Sequence, residues 1–370
     1  MNLTKINLTN FRNYSKVNIN LGSKINIFIG DNAQGKTNIL ESIVVLALTK
    51  SHRSITNPDI IQFNKKRSII KGTVKKDRLI SNLEVELGDG YKKISVNGTE
   101  IRKLSDYISN LNIILFSPDD LELIKGSPSV RRNMLNIELS QISNTYLNVY
   151  NEYNKILKTR NEYLKILFNN SIADKKYLDI ITEKLISSAV IIYKKRQEYL
   201  DIINSRINYY YKSISGNDGL KIQYVPNIKL TSFDDTEIEQ ELKRIFNKNY
   251  LKELNYGMTM YGPHRDDFTF YFKDNDLKAF GSQGQQKLAV LAFKLSEISI
   301  FRDFSGNDPV LLLDDVFGEL DIKKKNKLLK LIIDENIQSI ITTTDIKNIN
   351  KKHLTDAFIY EVNNGKVERK

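Results

Sequence analysis

Ile25-Asn-Ile-Phe-Ile-Gly-Asp-Asn-Ala-Gln-Gly-Lys-Thr37 decides the fold. Residues Ile25–Ile29 are short, β-branched and mostly apolar, the composition of a buried strand. Gly30–Thr37 then matches G-x-x-x-x-G-K-T. From Thr37 the apolar residues Ile39, Leu40, Ile43, Val44 and Ala47 recur at helical spacing. Strand, glycine loop and helix in this order are the context that a phosphate-cradling loop requires. The glycines permit a tight backbone path that turns N–H groups toward phosphate, and the helix start adds its positive end. Lys36 is placed to reach the β- and γ-phosphates, and the Thr37 hydroxyl to ligate Mg²⁺. The expected ligand is ATP with a divalent cation.

Upstream, Ile6 and Leu8, then Val17, Ile19 and Leu21, alternate as strands do around the polar turn Phe11–Tyr14. Downstream, Glu84–Leu87 and Lys93–Val96 alternate across Gly88-Asp-Gly90, and Asn97-Gly98 signals a hairpin. Leu111–Phe116 reads as another strand, closed by Ser117-Pro118. The middle is helical. Tyr146, Tyr150, Tyr153, Leu157, Arg160, Leu164 and Leu167 form a heptad-like seam with one charged interruption, which Asn169-Asn170 breaks. A second helix runs from about Tyr177 to Tyr211. The pair reads as an antiparallel hairpin, either a short coiled-coil arm or ordinary two-helix packing. The last third adds a strand at Phe268–Phe272, an amphipathic helix at Gln285–Phe301, and strands at Val310–Leu313 and Ser339–Thr342.

The chain has 370 residues, 41% hydrophobic, and a formal net charge of +12. That excess suits a polyanionic partner. A Lys-, Asn- and Ile-rich composition spread along the whole chain would produce it as well. Basic clusters at Lys65–Arg67, Lys75-Lys76, Arg131-Arg132, Lys194–Arg196 and Lys323–Lys325 each read as a solvated face when taken alone. With no cysteine there is no disulfide and no Cys-based zinc site. His52, His264 and His353 fit no metal spacing. Neither a signal peptide nor an apolar run of membrane-spanning length is visible, so the expectation is a cytoplasmic protein away from the membrane.

Val310-Leu-Leu-Leu-Asp-Asp315 places carboxylates at the end of a buried strand. Asp314 is expected to hold the magnesium and Asp315 to polarise the attacking water. Ser282-Gln-Gly-Gln285 opens a helix, where a Ser and a Gly suit either an anion or a simple cap.

The order of these pieces, with Gly318–Asp321 close behind, resembles the ATP-binding cassette class. Asn10–Tyr14, Gly30–Asn38, Ser51–Arg53, Phe116–Leu121, Lys125–Ser129, Tyr261–Asp267, Gly281–Lys287, Leu312–Phe317 and Thr342–Asp345 together resemble the RecF family of bacterial DNA replication and repair proteins. The likeness covers nearly the whole chain. It implies an α/β P-loop, SMC-like head with a mixed sheet and a helical lobe carrying a short hairpin arm. The lobes would fall at 1–120 and 281–370 for the ATPase and 121–280 for the helical lobe. The site implied for ATP is Gly30, Asp31, Asn32, Ala33, Gln34, Gly35, Lys36 and Thr37, with Arg12. Thr37 and Asp314 would take the Mg²⁺. Asp315 would be catalytic, with Ser282 acting in trans on the γ-phosphate of a second subunit.

The family role implied is an ATP-driven homodimer that binds DNA backbone at single-/double-strand junctions. It would work with RecR and RecO, help load RecA, support the SOS response, and hydrolyse ATP slowly under DNA stimulation. Two departures from the cassette pattern bear on rate: the carboxylate pair is Asp-Asp, not Asp-Glu, and Thr342–Thr344 stand where a switch His is usual. Asp119 or Asp120 falls in the region of the Q-loop. A transporter ATPase subunit shares these motifs but keeps its P-loop and Asp pair much closer in sequence. A nucleotide-binding scaffold without turnover is the other reading, separated by whether DNA accelerates hydrolysis.

Overall fold

The computed structural model describes all residues except 55, 57, 170–173, 347–349, 351 and 353. The break expected at Asn170 and the His353 position therefore lie outside the described residues. The chain divides into two compact units. The first comprises Met1–Asp120, Tyr210–Asn217 and Leu291–Lys370; the second comprises Leu121–Tyr209 and Asp218–Val290. The first border falls at residue 120. The second falls inside the helix Gln283–Ser305, so Gly281–Val290 belongs with the helical unit.

The first unit is built on two sheets. One is an antiparallel meander of six strands. Tyr14–Asn20 forms one edge and pairs with Asn2–Phe11, which pairs in turn with Arg67–Lys76, and the sheet continues through Leu79–Gly88 and Tyr91–Val96 to Thr99–Glu100. The second sheet has the order Lys366–Arg369, Phe358–Asn363, Ile25–Ile29, Ser339–Thr343, Val310–Leu313 and Ile113–Phe116. Its strands are parallel apart from the C-terminal hairpin partner Lys366–Arg369. Val310–Leu313 and Ser339–Thr343 are buried at every position; the first accordingly reads as an unbroken apolar run, while the second buries Ser339, Thr342 and Thr343 beside its two isoleucines.

The helix Lys36–Leu48 packs against both sheets. Every residue from Ile39 to Ala47 on it is buried, including Glu41 and Ser42. A stretch covered on all sides must be apolar all round, and Ile39–Ala47 is, apart from those two residues.

In the second unit the helix Asn144–Asn169 and residues 175–209 of the helix Lys175–Ser215 form the expected hairpin. The seam is a buried core rather than a free arm at Tyr146, Tyr153, Arg160 and Leu164. Two-helix packing within a lobe is thus the reading that holds for these positions. The charged interruption, Arg160, is 2% exposed. It donates to Glu253 at 2.7 Å, Thr182 at 2.9 Å and Thr259 at 2.8 Å, and lies over the Phe246 ring. Helices Pro128–Ile142, Asp235–Lys248 and Tyr250–Tyr256 and the sheet Leu220–Val225, Asp267–Phe272 and Asn275–Asp276 complete the unit.

Two of the basic clusters expected to be solvated faces each contribute a buried arginine, while Lys194 and Lys195 stay at the surface. Arg196 is buried, bonded to Asp266 at 3.0 Å, the Pro263 carbonyl at 2.5 Å and Asn136 at 2.9 Å. Arg131, also buried, forks onto Asp267 at 2.5 and 2.8 Å. Asp266 further accepts from the Tyr224 hydroxyl and from the Asn227 N–H at 2.9 Å. The reason for the miss is physical: a run of like charge does not display its partner, and these partners lie far along the chain. No described helix is long and apolar enough to cross a membrane.

Candidate nucleotide site

The loop between Ile29 and Lys36 takes its shape from two left-handed residues, Ala33 at φ 65° and Gly35 at φ 113°. Such a path points successive N–H groups into one concavity, an anion nest. Gly35 has no alternative: a Cβ there would sit 2.5 Å from the Asn13 side chain and 2.8 Å from the Tyr14 hydroxyl. At Gly30 a Cβ would lie 2.3 Å from the Val362 carbonyl oxygen.

The loop is pinned from outside. Tyr14 donates to the Gly35 carbonyl at 3.1 Å and Asn13 to the Gln34 carbonyl at 3.1 Å. From the C-terminal hairpin, the Asn364 N–H donates to Gln34 Oε1 at 2.7 Å. Asp31, Asn32 and Ala33 are exposed on the rim, and Lys36 is buried beneath it. Lys36 Nζ donates to the carbonyls of Gly30 at 2.6 Å and Asp31 at 2.8 Å. Burial lowers its pKa, and the nearby carboxylates of Asp315, Asp314 and Asp31 act in the opposite direction.

The strands Ile25–Ile29 and Val310–Leu313 are separated by one strand, Ser339–Thr343, and all three run parallel. Their carboxyl ends therefore open at one edge, where ligands bind in α/β sheets. There Thr37 Oγ1 donates to Asp314 Oδ1 at 3.0 Å, across 277 residues of sequence. The hard-oxygen pair suits Mg²⁺, which takes one or two protein oxygens and completes its shell with phosphate and water. No cluster of three or more His, Cys, Asp or Glu occurs among the described residues, so an all-protein cage is not what this site offers. Asp315 is partly buried and left-handed, at φ 47°.

Of Thr342–Thr344, only Thr342 is directed at these groups. It donates to Asp314 Oδ1 at 2.6 Å. Thr343 closes a turn with Asp345, and Thr344 is exposed. Asp120 accepts the Ser117 N–H at 2.6 Å and thus caps the turn after Phe116, while Asp119 is exposed.

Arg12 and the Ser51–Arg53 motif meet at a residue that the sequence reading did not single out. Arg12 forks onto Glu41 at 2.9 and 2.6 Å and also donates to Ser54 and the Asp59 carbonyl. Ser51 donates to Glu41 at 2.6 Å, and Arg53 lies 3.6 Å away. Burial alone would raise the Glu41 pKa; the bonds from Arg12 and Ser51 outweigh it and hold the carboxyl below its ordinary value. The available signal was a lone carboxylate inside the apolar run Ile39–Ala47. His52 itself is exposed.

In the second unit, Ser282 caps the helix Gln283–Ser305. The Gln285 N–H donates to Ser282 Oγ at 3.3 Å, and the Ser282 N–H donates to Gln285 Oε1 at 2.9 Å. This is a reciprocal capping box, and Ser282, Gln283 and Gly284 are exposed on it. His264 belongs to the interior of the second unit. Its Nε2–H donates to the Thr259 carbonyl at 3.1 Å, so Nδ1 accepts from the Tyr153 hydroxyl at 2.6 Å.

Residues 2–367 match the family model described as RecF/RecN/SMC N terminal domain. A DNA replication and repair protein RecF from Halalkalibacterium halodurans is 38% identical over the whole of both chains. One from Pediococcus pentosaceus is 40% identical over 99% of this chain and 98% of its own. Among solved structures, the recombination mediator protein RecF-ATP in the RecFOR pathway superposes with a TM-score of 0.90 at 32% identity, covering 100% of this chain and 97% of that one. An SmcHead bound to a winged-helix domain of ScpA gives 0.56 at 15% identity, covering 100% and 97% of the two chains, a likeness of fold alone. On the sheet order, the loop and these full-length matches, the chain belongs to the RecF family of DNA replication and repair proteins.

Proposed function

We propose that the chain is an ATP-dependent DNA-binding clamp with a slow, DNA-stimulated ATPase. The observation that carries this is the convergence of the Gly30–Thr37 nest, Lys36, Thr37, Asp314 and Asp315 at one sheet edge. On ATP binding, Lys36 exchanges the Gly30 and Asp31 carbonyls for the β- and γ-phosphates. Thr37 and Asp314 hold the Mg²⁺, which when bound neutralises charge on the phosphates. Asp315 polarises the attacking water. Arg12, secured by Glu41, supports the nucleotide beside the loop. With a second carboxylate shorter than Glu and a Thr in place of His, hydrolysis is slow, and turnover serves to open the clamp.

The γ-phosphate in such a loop faces outward and is short of donors. The exposed start of the Ser282 helix supplies a hydroxyl and a positive helix end, and it does so from a second copy, so two equivalent sites form across an isologous interface. The clamp acts in the cytoplasm at single-/double-strand junctions, mainly on phosphates. With RecR and RecO it helps load RecA, in replication, recombinational repair and SOS induction. The basis for these roles is the likeness to RecF proteins, among them the recombination mediator of the RecFOR pathway.

The test is light-scattering mass with ATP, Mg²⁺ and duplex DNA, for the wild type and for Ser282→Arg. The wild type doubles in mass with ATP, while the variant binds ATP yet stays monomeric. A variant that dimerises like the wild type leaves Gly281–Gln286 as a helix cap only.

A further inference from the structure

The strand between the phosphate loop and the aspartate pair carries a group of its own. Leu313 pairs with Ile341, so Asp314 comes to lie beside Thr342 on the neighbouring strand. Thr342 is fully buried. A hydroxyl has one proton and two lone pairs, and here both capacities go to the aspartates. The proton goes to Asp314 Oδ1 at 2.6 Å, and a lone pair accepts the Asp315 N–H at 3.0 Å. The same Oδ1 receives the Thr37 hydroxyl. One oxygen atom thus sets the plane of one carboxylate and anchors the left-handed backbone turn, φ 47°, that aims the next. A left-handed backbone is disfavoured for a residue with a Cβ, and the bond to Thr342 holds the turn in that conformation.

We infer that Thr342 is the positioning residue for both Asp314 and Asp315, linking the metal-binding carboxylate to the one that polarises water. The inference rests on the reading of Gly30–Thr37 and Asp314 as an ATP–Mg²⁺ site. A buried threonine with only a packing role would matter through its methyl group, and valine would replace it without loss.

The experiment is calorimetric titration of the full chain with ATP, in EDTA and in Mg²⁺, for the wild type, Thr342→Val and Thr342→Ser. Loss of a group that orients a metal ligand typically weakens metal affinity about 10- to 100-fold. Thr342→Val is expected to lose about tenfold or more of the affinity that Mg²⁺ adds, with the EDTA value within about twofold of wild type. Thr342→Ser, which keeps the hydroxyl, restores the Mg²⁺ effect. Should the valine variant not fold, Thr342→Ala, which leaves room for a water, is held to the same criterion. Wild-type Mg²⁺ dependence in Thr342→Val, or an equal loss with and without Mg²⁺, overturns the inference. A wild type that binds no ATP overturns the site reading itself.

Discussion

Replacing Arg160 with methionine isolates what a buried charge does in the helical unit. Methionine keeps most of the side chain's apolar length, so the main loss is the guanidinium. That group makes three hydrogen bonds, and its partner Glu253 is 0% exposed. Without it, the Glu253 side chain keeps the Met260 N–H at 2.8 Å, which was there already, as its partner among the described residues. Removing one member of a buried ion pair costs about 3–5 kcal/mol, because the remaining charge is stranded. The lost bonds to Thr182 and Thr259 overlap with that figure and are not added to it.

Global unfolding of a chain with two units is a poor readout, since a single transition is not assured. Hydrogen–deuterium exchange of peptides from Asn144–Asn169 reads the local opening instead. At 1.4 kcal/mol per decade, exchange there accelerates by about two to four decades. Arg160→Met combined with Glu253→Gln removes the stranded charge and recovers more than half of the loss. Acceleration below tenfold in the single variant would refute the argument, since the pair would then be held by packing alone.

Lys36→Ala is expected to abolish ATP binding, because it removes the ammonium held against the Gly30 and Asp31 carbonyls of the loop; an unchanged affinity in a binding titration would remove the site assignment. His264 gives a pH signature. Burial lowers its pKa to about 4, against about 6.5 in an unfolded chain. Its neutral form is the one the fold holds, so its contribution is complete above 6.5 and is lost as pH falls from 6.5 toward 4. His264→Gln should flatten stability across that window, and an unchanged pH slope would show that other groups govern it.

The nucleotide loop was legible because its chemistry is local: two glycines, a lysine and a threonine within eight residues, bracketed by a short apolar strand and a 3.6-residue period. Val310–Asp315 was legible for the same reason, as an apolar run ending in charge. What stayed hidden is non-local. Glu41 is an ordinary helix residue until Arg12 and Ser51 arrive from two other segments. Arg131, Arg160 and Arg196 read as surface or interruption because their carboxylates lie about 70 to 140 residues away. Ser282 showed the opposite limit. Its sequence taken alone favours a cap over an anion site, and the structure shows the cap while leaving the hydroxyl at the surface.

The place of Ile25–Ile29 in its sheet bears on how the protein is made. Both of its neighbours, Ser339–Thr343 and Phe358–Asn363, come from late in the chain. At about 5–20 residues per second, a ribosome needs roughly 15 to 60 s after finishing that strand before the first neighbour exists. Through that interval the nascent phosphate loop has no sheet to anchor it, while the antiparallel meander, with all its strands within the first hundred residues, is already able to fold. The loop's remaining partners follow the same order: Asn13 and Tyr14 are made before it, while Asp314, Thr342 and Asn364 are supplied only in the last sixth of the chain.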